Sequence, residues 1–176
     1  MFLFLENSFA LIEPYIVAYG AAALFVIVYF ESFGAPLPGE TGVVAASLLA
    51  IKGDLSIVAV YFAVLVAGIL GDSTGYLIGR FGGRVLLRRY GPLVKLTPEL
   101  LDELEAKFRR NGVYLVMIAR FLPLMRQLNG LIAGSMAMPW HIFLAANAIG
   151  AVAWTTVWVL GPYYFSHLFE WARHAH

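Results

Sequence analysis

The sequence predicts an all-α integral membrane protein, on three observations. Of its 176 residues, 61% are hydrophobic and only 13% charged, against about 25% charged in soluble domains. The apolar residues come in uncharged runs, some of which reach the roughly 20 residues that a helix needs to cross a bilayer. Shorter apolar runs alternate with these, and prolines break them. A soluble core of this size could not hide so much apolar surface, and mean hydropathy is +0.78.

Pro14 to Phe30 is uncharged and makes a first span with its flank. Thr41 to Ile51 is too short to cross. Leu55 to Ile78 is long enough and is interrupted only by Asp72. Asn111 to Ala119 is again too short. The uncharged run from Gln127 to Phe169 is too long for one span, and Pro139 divides it into a short piece, Gln127 to Met138, and a full span, Trp140 to about Phe165.

A short Pro-broken segment followed by a span therefore occurs twice. Two interrupted segments in corresponding places point to paired re-entrant hairpins, an inverted repeat and a binding site between them. Gly42-Val43-Val44-Ala45-Ala46-Ser47 and Gly130-Leu131-Ile132-Ala133-Gly134-Ser135 form a weak internal echo. The chain reads as one membrane domain over residues 1–176. Its first half, 1–79, holds an acidic hairpin at 31–51. A basic, amphipathic linker follows at 80–111. The second half, 112–176, holds an arginine hairpin at 114–138.

The linker carries eight of the twelve Lys and Arg, Arg80 to Arg110, and by the positive-inside tendency it is cytoplasmic. Thr97 and Pro98 suit an N-cap and first helical position. Leu100, Leu101, Leu104 and Phe108 form an apolar stripe at helical spacing. Glu103–Lys107 and Glu105–Arg109 are i,i+4 pairs, and Asn111-Gly112 is a fitting stop. This predicts a short helix lying on the inner membrane face. With both hairpins returning to their own sides, the two tips would meet near the midplane and the C-terminus would lie outside. The chain is expected to be a multi-pass protein of the cell inner (cytoplasmic) membrane. The N-terminus lacks the basic region and cleavage site of a signal peptide.

Two arginines sit deep in the apolar sequence, in Arg120-Phe121-Leu122-Pro123-Leu124-Met125-Arg126. A guanidinium at the bilayer centre costs about 3 kcal/mol or more. Pro123 breaks the helix, because it lacks an N–H and clashes with the preceding turn. Such a segment must line a polar cavity or be covered by protein. Forked guanidiniums favour phosphate or carboxylate ligands. Arg120 and Arg126 are six residues apart, off one face of a straight helix, and the break could bring them together.

The first hairpin reads Phe30-Glu31-Ser32-Phe33-Gly34-Ala35-Pro36-Leu37-Pro38-Gly39-Glu40. Pro36, Pro38 and Gly39 end any helix, and Glu31 and Glu40 bracket the break. Two roles fit these acids: exchange of a proton, or permanent neutralisation of Arg120 and Arg126. In the next span Gly71, Gly75 and Gly79 form a stripe for close helix contact, within or between chains. Asp72, Tyr76 and Arg80 form the neighbouring stripe. Asp72 could pair with a hairpin arginine, and Arg80 fits an interfacial anchor. Asn147 can satisfy backbone groups opened by the breaks, and Trp154 reads as packing. His141, His167, His174 and His176 have no metal-ligand spacing. With no cysteine there is no disulfide or thiol chemistry. No nucleic-acid signature, phosphate loop or nucleophile elbow is present, so neither an enzyme, a cofactor nor a metal is expected.

In order, these motifs resemble those of the DedA family, also called the SNARE-associated or VTT-domain membrane proteins. The matching residues are Phe30-Glu31 with Pro36 and Pro38-Gly39-Glu40; Gly71-Asp72, Gly75-Tyr76 and Gly79-Arg80; Arg120-Phe121, Pro123 and Arg126, then Ala133-Gly134 and Met138; and Asn147, Gly150 and Trp154. The resemblance covers roughly residues 9 to 165. It implies a role in membrane homeostasis linked to proton motive force, and for some members the return of undecaprenyl phosphate or movement of other phospholipids. It also carries the family's functional arginines and acids onto Arg120, Arg126, Glu31 and Glu40. Many relatives have Gly-Asp where this chain has Gly39-Glu40, and many have a longer N-terminal region.

Two functions compete on these residues. One is a flippase in which Arg120 and Arg126 hold an anionic lipid phosphate while Glu31, Glu40 and Asp72 couple movement to protons, with Tyr76 and Asn147 in support. The other is a proton-coupled exporter of small cations or drugs that uses the three acids as ligands. Partners are then membrane lipids and protons, with a homo-oligomer permitted by the glycine stripe.

Overall fold

The structure, a computed structural model, describes residue 16 and residues 18–83 and 98–164. The described residues are mostly helical, with no strand among them. In chain order the helices are α1 (Ala21–Glu31), α2 (Gly39–Lys52), α3 (Ile57–Ile78, running into a π-helical turn, Gly79–Gly83), α4 (Pro98–Ala119), α5 (Pro123–Ser135) and α6 (Trp140–Thr155, running into a π-helical turn, Thr156–Leu160). Two continuous helices, Ile57–Gly83 and Trp140–Tyr164, are 27 and 25 residues long. At 1.5 Å per residue, either exceeds the ~30 Å of a hydrocarbon core.

Their exteriors are apolar. Val58, Phe62, Val66, Leu70, Leu77 and Phe81 are exposed and recur at intervals of four or seven, which is one face of a helix. A contiguous stripe of that length is a liability in water and suits contact with hydrocarbon.

The helices divide into two compact units that interleave along the chain. The first comprises the described parts of Met1–Glu31, Pro36–Gly68 and Val152–His176; the second comprises Ser32–Ala35 and Ile69–Ala151. In the first unit α1 packs on α2, around Leu24, Val28, Val43, Ala46, Val60, Val64 and Trp154. Trp154 is buried, as its packing role requires. Gly53 ends α2 in a left-handed conformation, φ 86°, where its N–H and that of Asp54 bond to Ala50 O and Leu49 O at 3.2 and 3.1 Å. Glycine adopts that geometry without Cβ strain.

In the second unit α5 lies against the end of α3. The glycine stripe makes this approach. A Cβ at Gly79 would collide with the Leu131 carbonyl, and one at Gly75 would lie 3.5 Å from Leu131 N. The contact is reciprocal, because Cβ atoms at Gly130 and Gly134 would collide with the carbonyls of Asp72 and Tyr76. Small residues on both helices thus allow backbone-to-backbone packing. The remaining core is Tyr76, Val116, Ala133, Met138, Phe143 and Ala146.

One local expectation is overturned. The helix does not stop at Asn111-Gly112; α4 continues for 22 residues to Ala119. A mid-helix glycine costs only about 1 kcal/mol, and this one is packed. A Cβ there would lie 3.0 Å from the Phe108 ring and 3.4 Å from Met138 Sδ. The expected N-cap at Thr97, the linker cations Arg84 to Lys95, and His167, His174 and His176 lie outside the described residues, as do the side chains of the two i,i+4 pairs and of Leu100, Leu101 and Leu104.

Candidate functional site

Proline chemistry shapes the arginine segment. Helix α4 closes with turns in which Phe121 N–H bonds to Ile118 O and Leu122 N–H to Ala119 O, at 3.0 and 3.1 Å. Leu122 is extended, φ −108° and ψ 116°, because the following proline excludes the helical region. Pro123 then occupies the start of α5, where a missing N–H costs nothing. Arg120 lies in the turn and Arg126 in α5, and both side chains are buried, with 3% and 2% exposed.

Arg120 is held from two sides. Its Nη1 donates to Asp72 Oδ2 in a buried ion pair and to Asn147 Oδ1. Asn147 Nδ2 in turn reaches the Ile69 carbonyl at 3.4 Å. Asp72 and Ile69 lie on α3, and Asn147 on α6. One guanidinium therefore joins the α4–α5 turn to both helices. Gly150 makes room for its stem, since a Cβ there would stand 3.2 Å from Arg120 Cδ. Desolvating two charges costs several kcal/mol each, and geometry must recover it. Among the described residues, Asp72 Oδ1 and Arg120 Nε have no hydrogen-bond partner, so the recovery is incomplete. The charge of Arg126 acts on both Asp72 and Arg120.

Two neighbours support this frame. Asn129 Nδ2 donates to Val116 O at 3.1 Å, tying α5 to α4. The Tyr76 hydroxyl donates to Met138 O at 2.5 Å, and its ring stacks on Phe143 with centroids 4.7 Å apart. Tyr76 thus fixes the turn after α5. Arg80 is exposed.

Both acids of the first break, Glu31 and Glu40, belong to the first unit. Glu31 ends α1 and is buried, 3% exposed. Pro36 and Pro38 keep the chain out of helix, and Gly39 opens α2 with Glu40 in its first turn. A Cβ at Gly39 would collide with Glu31 Oε2. The Glu31 carboxyl therefore rests against the start of α2, where helix N–H groups and the dipole favour negative charge. Gly39 is needed for that approach. Glu40 is half-buried at the same helix end. Among the described residues, no three His, Asp or Glu side chains group as a metal site, and His141 is exposed.

Sequence reasoning proposed an arginine partner for Asp72, and Arg120 is that partner. It gave Asn147 only backbone groups to satisfy, whereas the side chain also receives Arg120. It treated Gly130 and Gly134 as part of a repeat echo. Their four-residue spacing was the available signal that α5 carries its own contact face.

The profile of the VTT domain matches residues 37–163, a stretch that contains the arginine break and its Asp72 and Asn147 partners. The chain belongs to the VTT-domain family. An uncharacterized membrane protein of Synechocystis sp. is 39% identical to this VTT-domain protein over 150 residues, covering 85% of this chain and 69% of its own length. An uncharacterized membrane protein of Mycobacterium tuberculosis is 38% identical over 132 residues, 73% of this chain and 61% of its own. Protein DedA of Escherichia coli is 30% identical over 149 residues, 82% of this chain and 68% of its own. The VTT-domain protein thus spans some three fifths to seven tenths of these relatives' lengths, and it is a DedA-family membrane protein. No solved structure matches it.

Proposed function

We propose that this VTT-domain protein is a transporter, without bond-breaking activity, that moves a lipid phosphate such as undecaprenyl phosphate or a phospholipid across the cytoplasmic membrane. The observation that carries the proposal is the burial of Arg120 and Arg126 on either side of one proline break. Two guanidiniums at apolar depth are a strong anion trap, and phosphate is their natural forked ligand. Of the two, Arg120 already spends Nη1 on Asp72 and Asn147. We assign both guanidiniums to the phosphate, with Arg120 also shaping the site. The chain is read as a multi-pass inner-membrane protein with re-entrant helix–break–helix segments in an inverted repeat. Protons couple to movement through Glu31, whose carboxyl Gly39 admits to the start of α2, with Glu40 beside it. The cation-exporter reading needs Asp72 as a ligand, and Asp72 is engaged by Arg120.

The test is movement of undecaprenyl phosphate across sealed vesicles, with and without a pH gradient. Arg126→Ala should slow it by about 10- to 150-fold, the value of a charge-assisted hydrogen bond, while insertion is unchanged. Arg126→Lys should recover part of the rate. Movement that survives Arg126→Ala at full rate would sink the phosphate grip.

A further inference from the structure

The second unit contains a cavity of about 240 Å³ between α4 and α5. Phe108, Leu115, Ile118 and Ala119 line it from α4; Leu122, Met125, Asn129 and Ile132 line it from the break and α5. Seven of these eight are apolar, and the Nδ2 of Asn129 is engaged by Val116 O. Water needs two to four polar partners to settle in such a space, and these walls do not supply them. Leu115, Ile118, Leu122 and Met125 are exposed, so the cavity opens outward along an apolar rim. Its volume is below the ~300–1,000 Å³ of a site that encloses a whole small molecule. It fits part of a chain whose remainder lies elsewhere.

Its position selects the occupant. Ala119 and Leu122 bracket Arg120, and Met125 adjoins Arg126. The break that carries the two buried cations thus also supplies part of the wall of an apolar slot. That is the complement of an amphiphile with a compact anion at one end and hydrocarbon at the other. We infer that the slot between α4 and α5 seats the head-proximal part of the hydrocarbon chain of the same phosphate lipid whose headgroup the arginines take. The inference rests on the lipid-phosphate reading and adds to it a second subsite. Inside a bilayer a chain gains little hydrophobic energy by leaving other lipid for protein. The slot therefore acts through fit and direction, fixing where the chain leaves the arginines.

Photolabelling separates the two claims. The protein is reconstituted in phosphatidylethanolamine and phosphatidylglycerol vesicles with an isoprenyl monophosphate that carries a diazirine near its head. Expected is labelling of the 108–132 stretch at the lining residues, competed by unlabelled isoprenyl monophosphate and not by the same isoprenol without phosphate. Ala119→Phe, which fills the slot, should abolish that labelling, as should Leu115→Trp at the tolerant rim. Equal, uncompeted labelling by a diazirine phosphatidylcholine would mean that bulk lipid fills the slot, and the inference would fall. It would also fall if cross-links showed a second copy or the chain's own N-terminal segment there. Competed labelling elsewhere, with transport intact in Ala119→Phe, overturns the chain seat and leaves the phosphate reading standing. Absence of both transport and competed labelling overturns both.

Discussion

Asp72→Ala is the sharpest probe of the second unit. It leaves the Arg120 guanidinium buried, donating to Asn147 Oδ1. Removing one partner of a buried pair costs about 3–5 kcal/mol, because the surviving charge keeps its desolvation cost. At about 2–4 °C per kcal/mol for a chain of this size, the melting point should drop by about 6–20 °C. Asp72→Leu combined with Arg120→Met removes both charges, and should be close to wild type or more stable by about 1–4 kcal/mol. The assay is unfolding in detergent followed by tryptophan fluorescence. If Asp72→Ala costs less than about 1 kcal/mol, as an exposed pair would, the pair is wet and the account of Arg120 is wrong. The double variant should also be inactive in lipid movement, so that stability and function separate.

Asn147→Ala should cost about 1.5–3 kcal/mol, the value of a hydrogen bond to a charged group. It should be non-additive with Asp72→Ala in a double-mutant cycle, since both hold one guanidinium. Gly134→Ala should destabilise by about 1–3 kcal/mol through collision with the Tyr76 carbonyl. Gly161→Ala, with open space around it, should be neutral or stabilising by up to about 1 kcal/mol; the same melts compare the two. Gly39→Ala should displace the Glu31 carboxyl and remove the effect of a pH gradient on lipid movement, while membrane insertion measured by fractionation stays normal.

Run length made the two long helices legible. Leu55 to Ile78 and Trp140 to Phe165 carry almost no charge, and helices Ile57–Gly83 and Trp140–Tyr164 fill those places. Pro123 made the arginine break legible, because a missing N–H and a fixed φ act locally whatever packs nearby. Partnership was harder to read. Asp72 was a natural candidate for an arginine because few charges share its depth, whereas Asn147 could have bonded to many backbone groups. What decides between them is the approach of α6 to the turn at Arg120, a contact between residues 27 apart in the chain. Gly112 misled for a related reason. Its cap preference is local, and the contacts of that helix with Met138 outweigh it. The two π-helical turns had no sequence signal beyond the glycines of Gly79–Gly83.

The reciprocal glycine contacts also limit how the site can move. Helix α5 carries Arg126, and its Gly130 and Gly134 meet the backbone of α3 at Asp72 and Tyr76. The backbone of α3 meets Leu131 in return at Gly75 and Gly79. Sliding α5 along α3 would drive Cα-level surfaces into carbonyls, and packed backbones resist such intermediate positions. Arg126 and Asp72 are thus mounted on one frame. Outside that frame lie the turn at 120–122 and the turn after α5, where Ala137 holds a left-handed φ of 56°. That conformation costs a non-glycine residue about 1–2 kcal/mol, and the Tyr76–Met138 bond beside it helps to hold it. Tyr76→Phe should therefore loosen this turn while leaving the Arg120–Asp72 pair intact. Faster amide exchange confined to residues 136–138 is the expected result. Exchange that spreads equally to α3 and α5 would show that the two helices are not locked and that the frame itself yields.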